Sequence, residues 1–221
     1  MSAPTRSVTP EPLSERAYVA LRDRIVDLRL PPGATLREDE LMREMGIGRT
    51  PLREALKRLA LEHLVEVRPR RGTSVTDVRA DDIARFAEVR AQLEAHAARL
   101  AAERMDDEMR EECEALAADL RATDRDDAIA LMRVDERLHS LVWRAARNAY
   151  LESTLEGYFA LSLRVRHVVL DRVAARPQAA DEHERLLAAL LAGDGRGAET
   201  VMREHVEIGR ASCRERVFGY V

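Results

Sequence analysis

Between Leu30 and Gly72 the chain is interrupted at short intervals by residues that end helices: Pro31-Pro32-Gly33, Gly46, Gly48 and Arg70-Arg71-Gly72. Proline lacks the amide a helix interior needs and restricts the residue before it, and glycine costs backbone entropy. Only short elements fit between such breaks. Ala17, Leu21, Ile25 and Leu28 have helical spacing and predict a first helix that stops at the prolines. A second fits 38–45, closed by Gly46. A third fits 49–63, with Leu52, Ala55, Leu56 and Leu59 on one face. Pro51 is tolerable there because first-turn amides have no helical partner. Val65 and Val67 then alternate with charges, Arg70-Arg71-Gly72 turns, and Thr73–Thr76 is β-prone, which predicts a short hairpin. Three helices and a hairpin over 13–76 make a winged helix-turn-helix pattern.

After Asp77 the reading is almost entirely helical. Predicted helices cover 81–104, 106–122, 125–146, 149–174, 178–192 and 195–210, with breaks at Arg176-Pro177 and Gly193-Asp194-Gly195. Asp106-Asp107 and Asp126-Asp127 place negative charge at helix starts, which suits the dipole. An all-α antiparallel bundle over 83–207 is the default for helices of this length. Residues 77–82 read as a linker and the proline-bearing residues 1–12 as a loose arm. The fold class expected is therefore mainly α, and an aromatic content of 4% agrees, because strands favour aromatics. The abundant alanine and arginine read as coding bias rather than function.

No apolar run approaches the roughly 20 residues of a membrane span, and Met1–Pro12 has no signal-like apolar stretch, so a cytoplasmic protein is expected. Cys113 and Cys213 are too few for a disulfide framework or a cysteine zinc site. The formal charge of −4 first argues against a nucleic-acid partner, but its distribution reverses that. Residues 1–76 hold 14 basic and 11 acidic groups, net +3; residues 77–221 hold 22 and 29, net −7. Residues 49–76 alone are net +4. A basic module is attached to an acidic one.

Arg49 and Arg53, four apart at the start of the third helix, share a face. The N-terminal residues of such a helix enter the major groove, where arginine can donate two hydrogen bonds to guanine. Thr50 and first-turn amides suit a phosphate, and Arg70, Arg71 and Gly72 form a tip that can reach a backbone or minor groove. Pro32-Gly33, Leu41, Gly46, Arg49-Thr50-Pro51, Arg53-Glu54-Ala55-Leu56, Leu59, Leu64-Val65 and Arg71-Gly72 together resemble the winged-helix domain of GntR-family bacterial transcription regulators. Three departures bear on the operator: Gly48 replaces a usual capping serine, His63 a usual glycine, and Asp39 stands near a position where relatives can carry a DNA-contacting arginine.

In the second module, Asp135 and His139 are four apart and point the same way, a ready half of a metal site. Residues 83–205 resemble the FCD effector domain of the FadR-like branch. The matching residues are Glu88-Val89-Arg90, Leu93-Glu94, Asp135 to His139, Asn148, Glu182 to Leu187, Met202 and His205. The resemblance implies a divalent metal on Asp135, His139, His183 and His205. Their nitrogen and oxygen donors suit Zn, Ni or Mn without choosing between them. It also implies that Arg90 meets a small carboxylate effector, the alternative being an ion pair with Glu94 four residues on. Asn148 and Arg164 are further candidates for the effector, with Arg166 on the same helix. His96 and His167 have no partner at ligand spacing, and Trp143 and Tyr158 read as core.

The resulting expectation is a homodimeric, ligand-responsive repressor on a pseudo-palindromic duplex operator. The alternatives are a metal-dependent hydrolase, for which no nucleophile motif or convincing base accompanies the set, and a helical adaptor that does not bind DNA. The end of the chain, 208–221, stands apart. Ile208 to Val217 resembles the in-frame translation of a sequencing adapter, so this tail is expected to be artefactual and the natural last helix to be truncated by it.

Overall fold

The computed structural model describes residues 11–169 and 177–218. It divides into two units, 1–77 and 78–221. The loose arm predicted for 1–12 lies outside the described residues except for Glu11 and Pro12, and so do 170–174 of the predicted fourth bundle helix.

The first unit contains α1 Leu13–Val26, β1 Thr35–Leu36, α2 Glu38–Met45, α3 Arg49–Leu61, β2 Val65–Arg68 and β3 Gly72–Val75. The strands form an antiparallel sheet in the order β1-β3-β2, with Val65 opposite Val75 and Leu36 opposite Thr73. The hairpin is as expected; β1 is an addition, since a two-residue strand carries no alternation to read. Helix α1 ends before its predicted stop. Asp27 caps it, its carboxylate accepts from the Arg29 amide at 3.2 Å, and Leu28 turns to φ 62°. A local side-chain bond competes with the next helical turn, so the break precedes the prolines and Leu28 falls outside the helical stripe.

Leu21, Ile25, Leu52 and Leu59 close the core of this unit, each with essentially no exposure. Arg58 stacks 3.5 Å over the Tyr18 ring, whose hydroxyl donates to Glu62 at 2.9 Å, tying α1 to α3. Gly46 ends α2 at φ 64°. His63, just past α3, adopts φ 59°. A side chain there costs about 1–2 kcal/mol, against roughly 0.4–1 kcal/mol of extra unfolded-state entropy for glycine. His63→Gly should therefore stabilise this unit by up to about 1 kcal/mol, read as a higher midpoint in urea at an unchanged slope. A lower midpoint would mean that the imidazole makes a compensating contact.

The second unit contains α4 Ala80–Arg104, α5 Asp107–Ala122, α6 Ala128–Ala145, α7 Ala149–Val169, α8 Pro177–Leu191 and α9 Gly195–Phe218. Helix α4 packs against α6, α7, α8 and α9. Its alanines 91, 95, 97, 98 and 101 are buried, so alanine here does more than reflect coding usage: its small side chain admits neighbouring backbones. Asp106 caps α5 by accepting from the Met109 amide at 2.9 Å, and Asp127 caps α6 through the amides of Ile129 and Ala130. That cap moves the start of α6 from the predicted 125 to 128. Helix α9 continues to Phe218, through most of the segment that the sequence sets apart. No helix among the described residues is long and apolar enough to cross a membrane.

Candidate functional site

In the first unit, α3 presents Arg49, Thr50 and Arg53 at its exposed N-terminal end, while Leu52, Ala55, Leu56 and Leu59 face inward. Gly48 occupies the cap position and makes no side-chain bond there. Both arginines have acidic neighbours on α2: Arg49 Nη2 lies 3.5 Å from Asp39 Oδ1, and Arg53 Nε lies 3.1 Å from Glu38 Oε2. Arg70, Arg71 and Gly72 lie exposed at the β2–β3 tip, with Arg70 at φ 63° and Gly72 at φ 87°. All six predicted DNA residues are thus on the surface of one small unit.

The second unit buries a polar cluster built on facing helices. Asp135 and His139 lie on α6, His183 on α8 and His205 on α9, each with at most 4% exposure. Asp135 Oδ1 is the hub: His183 Nε2 lies 3.0 Å away, His205 Nε2 3.1 Å and His139 Nε2 3.8 Å. Asp135, His183 and His205 bring ligand atoms within 4.8 Å of one another. His139, the fourth predicted ligand, is not in that closest group, and its Nε2 lies 3.2 Å from Arg90 Nη2. Arg166 donates to the other oxygen of Asp135.

A second layer orients these rings. Glu182 Oε2 lies 2.8 Å from His205 Nδ1. Glu94 Oε2 lies 3.1 Å from His139 Nδ1 and accepts from Trp143 Nε1 at 2.8 Å. Carboxylates behind imidazoles are the usual partners of metal-binding histidines. His183 Nδ1 is buried without a hydrogen-bond partner.

The electrostatics follow from burial opposed by close charges. Burial alone would raise Asp135, but Arg166, His139 and the bonds from His183 and His205 hold it well below the usual range. Glu94 behaves alike: His139 and Arg90 overcome burial and bring it to about 2. Burial lowers His139 and His183, favouring the neutral form that ligates metal. His205 is raised despite burial, because Asp135 and Glu182 flank both its nitrogens. A metal ion can take the place of the proton that these two carboxylates favour. The donor set therefore fits a divalent cation: one carboxylate oxygen, inward Nε2 atoms and ordered partners behind them.

Beside the cluster is a cavity of about 30 Å³ lined by Arg90, Ser162, Val165, Arg166, His205 and Val206, among others. Such a volume holds about two waters. Arg90 makes the ion pair with Glu94 and also borders the cavity. Its Nε lies 3.0 Å from Glu94 Oε1, its Nη1 donates to Ser162 Oγ at 2.9 Å, and it lines the cavity. The other two effector candidates are placed elsewhere. Asn148 accepts from the amides of Tyr150 and Leu151, capping α7. Arg164 is buried but is not among the cavity-lining residues, whereas Arg166, two residues on, is. Ser162 and Glu182 complete the site without having been singled out as site residues. Glu182 had a signal, as the neighbour of a candidate ligand; Ser162 had none. Of the remaining expectations, Trp143 is core at 4% exposure, while His96 and His167 bond to Arg99 and the Leu163 carbonyl.

Residues 13–75 match the gntR family of bacterial regulatory proteins and residues 85–208 match the FCD domain. The chain is 27% identical to the HTH-type transcriptional repressor RspR of Escherichia coli over 97% of this chain and 95% of that protein. Its fold is similar to that of McbR/YncC from E. coli, with TM-score 0.79, 22% identity, and coverage of 94% of this chain and 99% of that one. It is also similar to the Zn²⁺-bound FCD domain of the regulator TM0439, with TM-score 0.53, 22% identity, and coverage of 65% of this chain and all but 1% of that one (99%). With a winged helix-turn-helix unit, an FCD bundle and a buried cluster able to hold a metal, the chain belongs to the GntR family of bacterial transcription regulators.

Proposed function

We propose that this regulator is a metal-dependent acid sensor: a homodimeric repressor whose bundle holds a divalent ion and a small carboxylate, and whose winged helices grip a pseudo-palindromic operator. The carrying observation is the convergence of three Nε2 atoms on Asp135 Oδ1, beside a cavity that Arg90 and Arg166 line. Asp135, His183 and His205 would hold the ion, with His139 as a fourth donor. When bound, the ion supplies a Lewis-acidic point to which an anion is drawn. Arg90 and Arg166 supply guanidinium donors for a carboxylate. The small cavity suits the anchoring carboxylate, so the rest of an effector would need the walls to move. The name of RspR, a repressor, supports the direction of regulation. An effector regulates only if it binds the operator-competent state and the free state unequally.

Zn²⁺ at about a hundred times its dissociation constant should stabilise the protein by about 2.7 kcal/mol. For a chain of this size that is a melting-point rise of roughly 5–10 °C. Thermal-shift assays with Zn²⁺, Ni²⁺ or Mn²⁺, each with and without a panel of organic acids, test the reading. A melting point indifferent to every metal would reject the ion. A metal response that no acid alters would reject the carboxylate.

A further inference from the structure

The hydrogen-bond partners of His139 fix its tautomer. An ionised carboxylate only accepts and a guanidinium only donates. Glu94 Oε2 at 3.1 Å therefore assigns the ring hydrogen to Nδ1, and Arg90 Nη2 at 3.2 Å assigns the lone pair to Nε2. That lone pair is the one through which His139 would reach a metal, because Nε2 is the atom facing Asp135, at 3.8 Å. It cannot serve an arginine hydrogen and a cation together.

We propose that Arg90 is a positioning residue that links metal and acid binding by competing for His139: full coordination breaks the Arg90–His139 bond and releases Nη2 to an incoming carboxylate. This rests on the metal reading above. Three further features favour it. Arg90 is held through Nε on Glu94 and Nη1 on Ser162, and its guanidinium is a rigid plane, so Nη2 keeps its place when the His139 ring turns to a metal. Its guanidinium sits 5.1 Å from the centre of the Phe159 ring, a cation–π contact that holds the plane further. And Arg90 already lines the cavity with Ser162 and Arg166, so its released hydrogen has a destination. The acid would then take the Nη2 hydrogen that His139 had accepted and tighten the metal, and the metal would equally tighten the acid, as linkage requires.

The test uses the full-length protein, Zn²⁺ and acetate as the carboxylate probe. Trp143 is the only tryptophan and bonds to Glu94, so its fluorescence follows Zn²⁺ titration alongside calorimetry. In the wild type, acetate should tighten Zn²⁺ binding by at least about fivefold. Arg90→Met should tighten Zn²⁺ about tenfold without acetate and abolish the acetate effect. Because Arg90→Met leaves buried Glu94 without its cation, the paired variant Arg90→Met/Glu94→Gln keeps an acceptor for His139 and Trp143 and should behave likewise. Co²⁺ in place of Zn²⁺ adds a visible spectrum that reports ligand number, and a packing defect alone would not raise that number.

Zn²⁺ affinity unchanged in both variants overturns the inference. So does an acetate effect that survives in them, which would place the acid on the metal without Arg90. Failure of the wild type to take up Zn²⁺ overturns the metal reading and this inference together, whereas uptake with unresponsive variants overturns the inference alone.

Discussion

Replacing Arg49 and Arg53 together with alanine is expected to remove specific operator binding while leaving the fold unchanged. Each guanidinium that forks onto a base edge is worth about 1–3 kcal/mol of discrimination. Two per winged helix give roughly 2–6 kcal/mol, or a loss of about thirtyfold to twenty-thousandfold. The fold should be unaffected because both side chains are exposed and the α3 core is made by Leu52, Ala55, Leu56 and Leu59. Alanine is also the best helix former, so secondary structure should not suffer. Gel shifts against operator and random duplex distinguish the roles. Loss confined to the operator supports base reading; equal loss on both duplexes moves the arginines to phosphate contacts; no loss on either removes α3 from the interface. Arg70→Ala should weaken both duplexes alike and reduce the salt slope by about one.

Asp135→Ala is expected to be the most disruptive single change in the bundle. It removes the acceptor shared by His183, His205 and Arg166, all from different helices. Breaking a buried ion pair by deleting one partner costs about 3–5 kcal/mol. The melting point should fall by on the order of 10 °C in the absence of metal, and Zn²⁺ should no longer raise it. The two readouts separate two roles. A fall in melting point with the Zn²⁺ response retained would make Asp135 a structural hub and no ligand. An unchanged melting point with the response lost would make it a ligand alone.

The long elements were legible because each carries many turns of periodic signal and ends at a residue with a physical reason to end it. Gly46 and Gly193, both at positive φ, and the Asp106 cap are examples. What could not be read depended on contacts between distant residues. Strand β1 exists only because β3 is there to pair with it. Leu28 fits the helical stripe, but the Asp27 carboxylate takes the amide that another turn would require. In the site, the i, i+4 spacing of Asp135 and His139 is real, yet spacing cannot show that Arg90, from α4, faces the same imidazole nitrogen. Nor can it distinguish Arg164 from Arg166: both lie on α7, and only the packed helix decides which reaches the cavity. Asn148 matched its family position, and in the structure its side-chain oxygen caps α7.

The acidic neighbours of the α3 arginines have a consequence of their own. Cations on a bare protein surface are dressed by mobile ions that drift away when a duplex arrives. Arg49 and Arg53 are dressed by Asp39 and Glu38, which are covalently tied and cannot leave. If α3 meets DNA as proposed, a duplex approaching this face would have to displace them, and afterwards the displaced carboxylates would remain beside its phosphates. Each exposed pair is worth only about 0.2–1 kcal/mol, but the toll falls on every sequence equally. A site that offers two good base contacts absorbs it; a random stretch, which offers attraction to phosphate alone, does not. On the DNA-binding reading proposed above, the two acids would work as a filter against promiscuity and would make attachment less sensitive to salt than a count of basic side chains suggests.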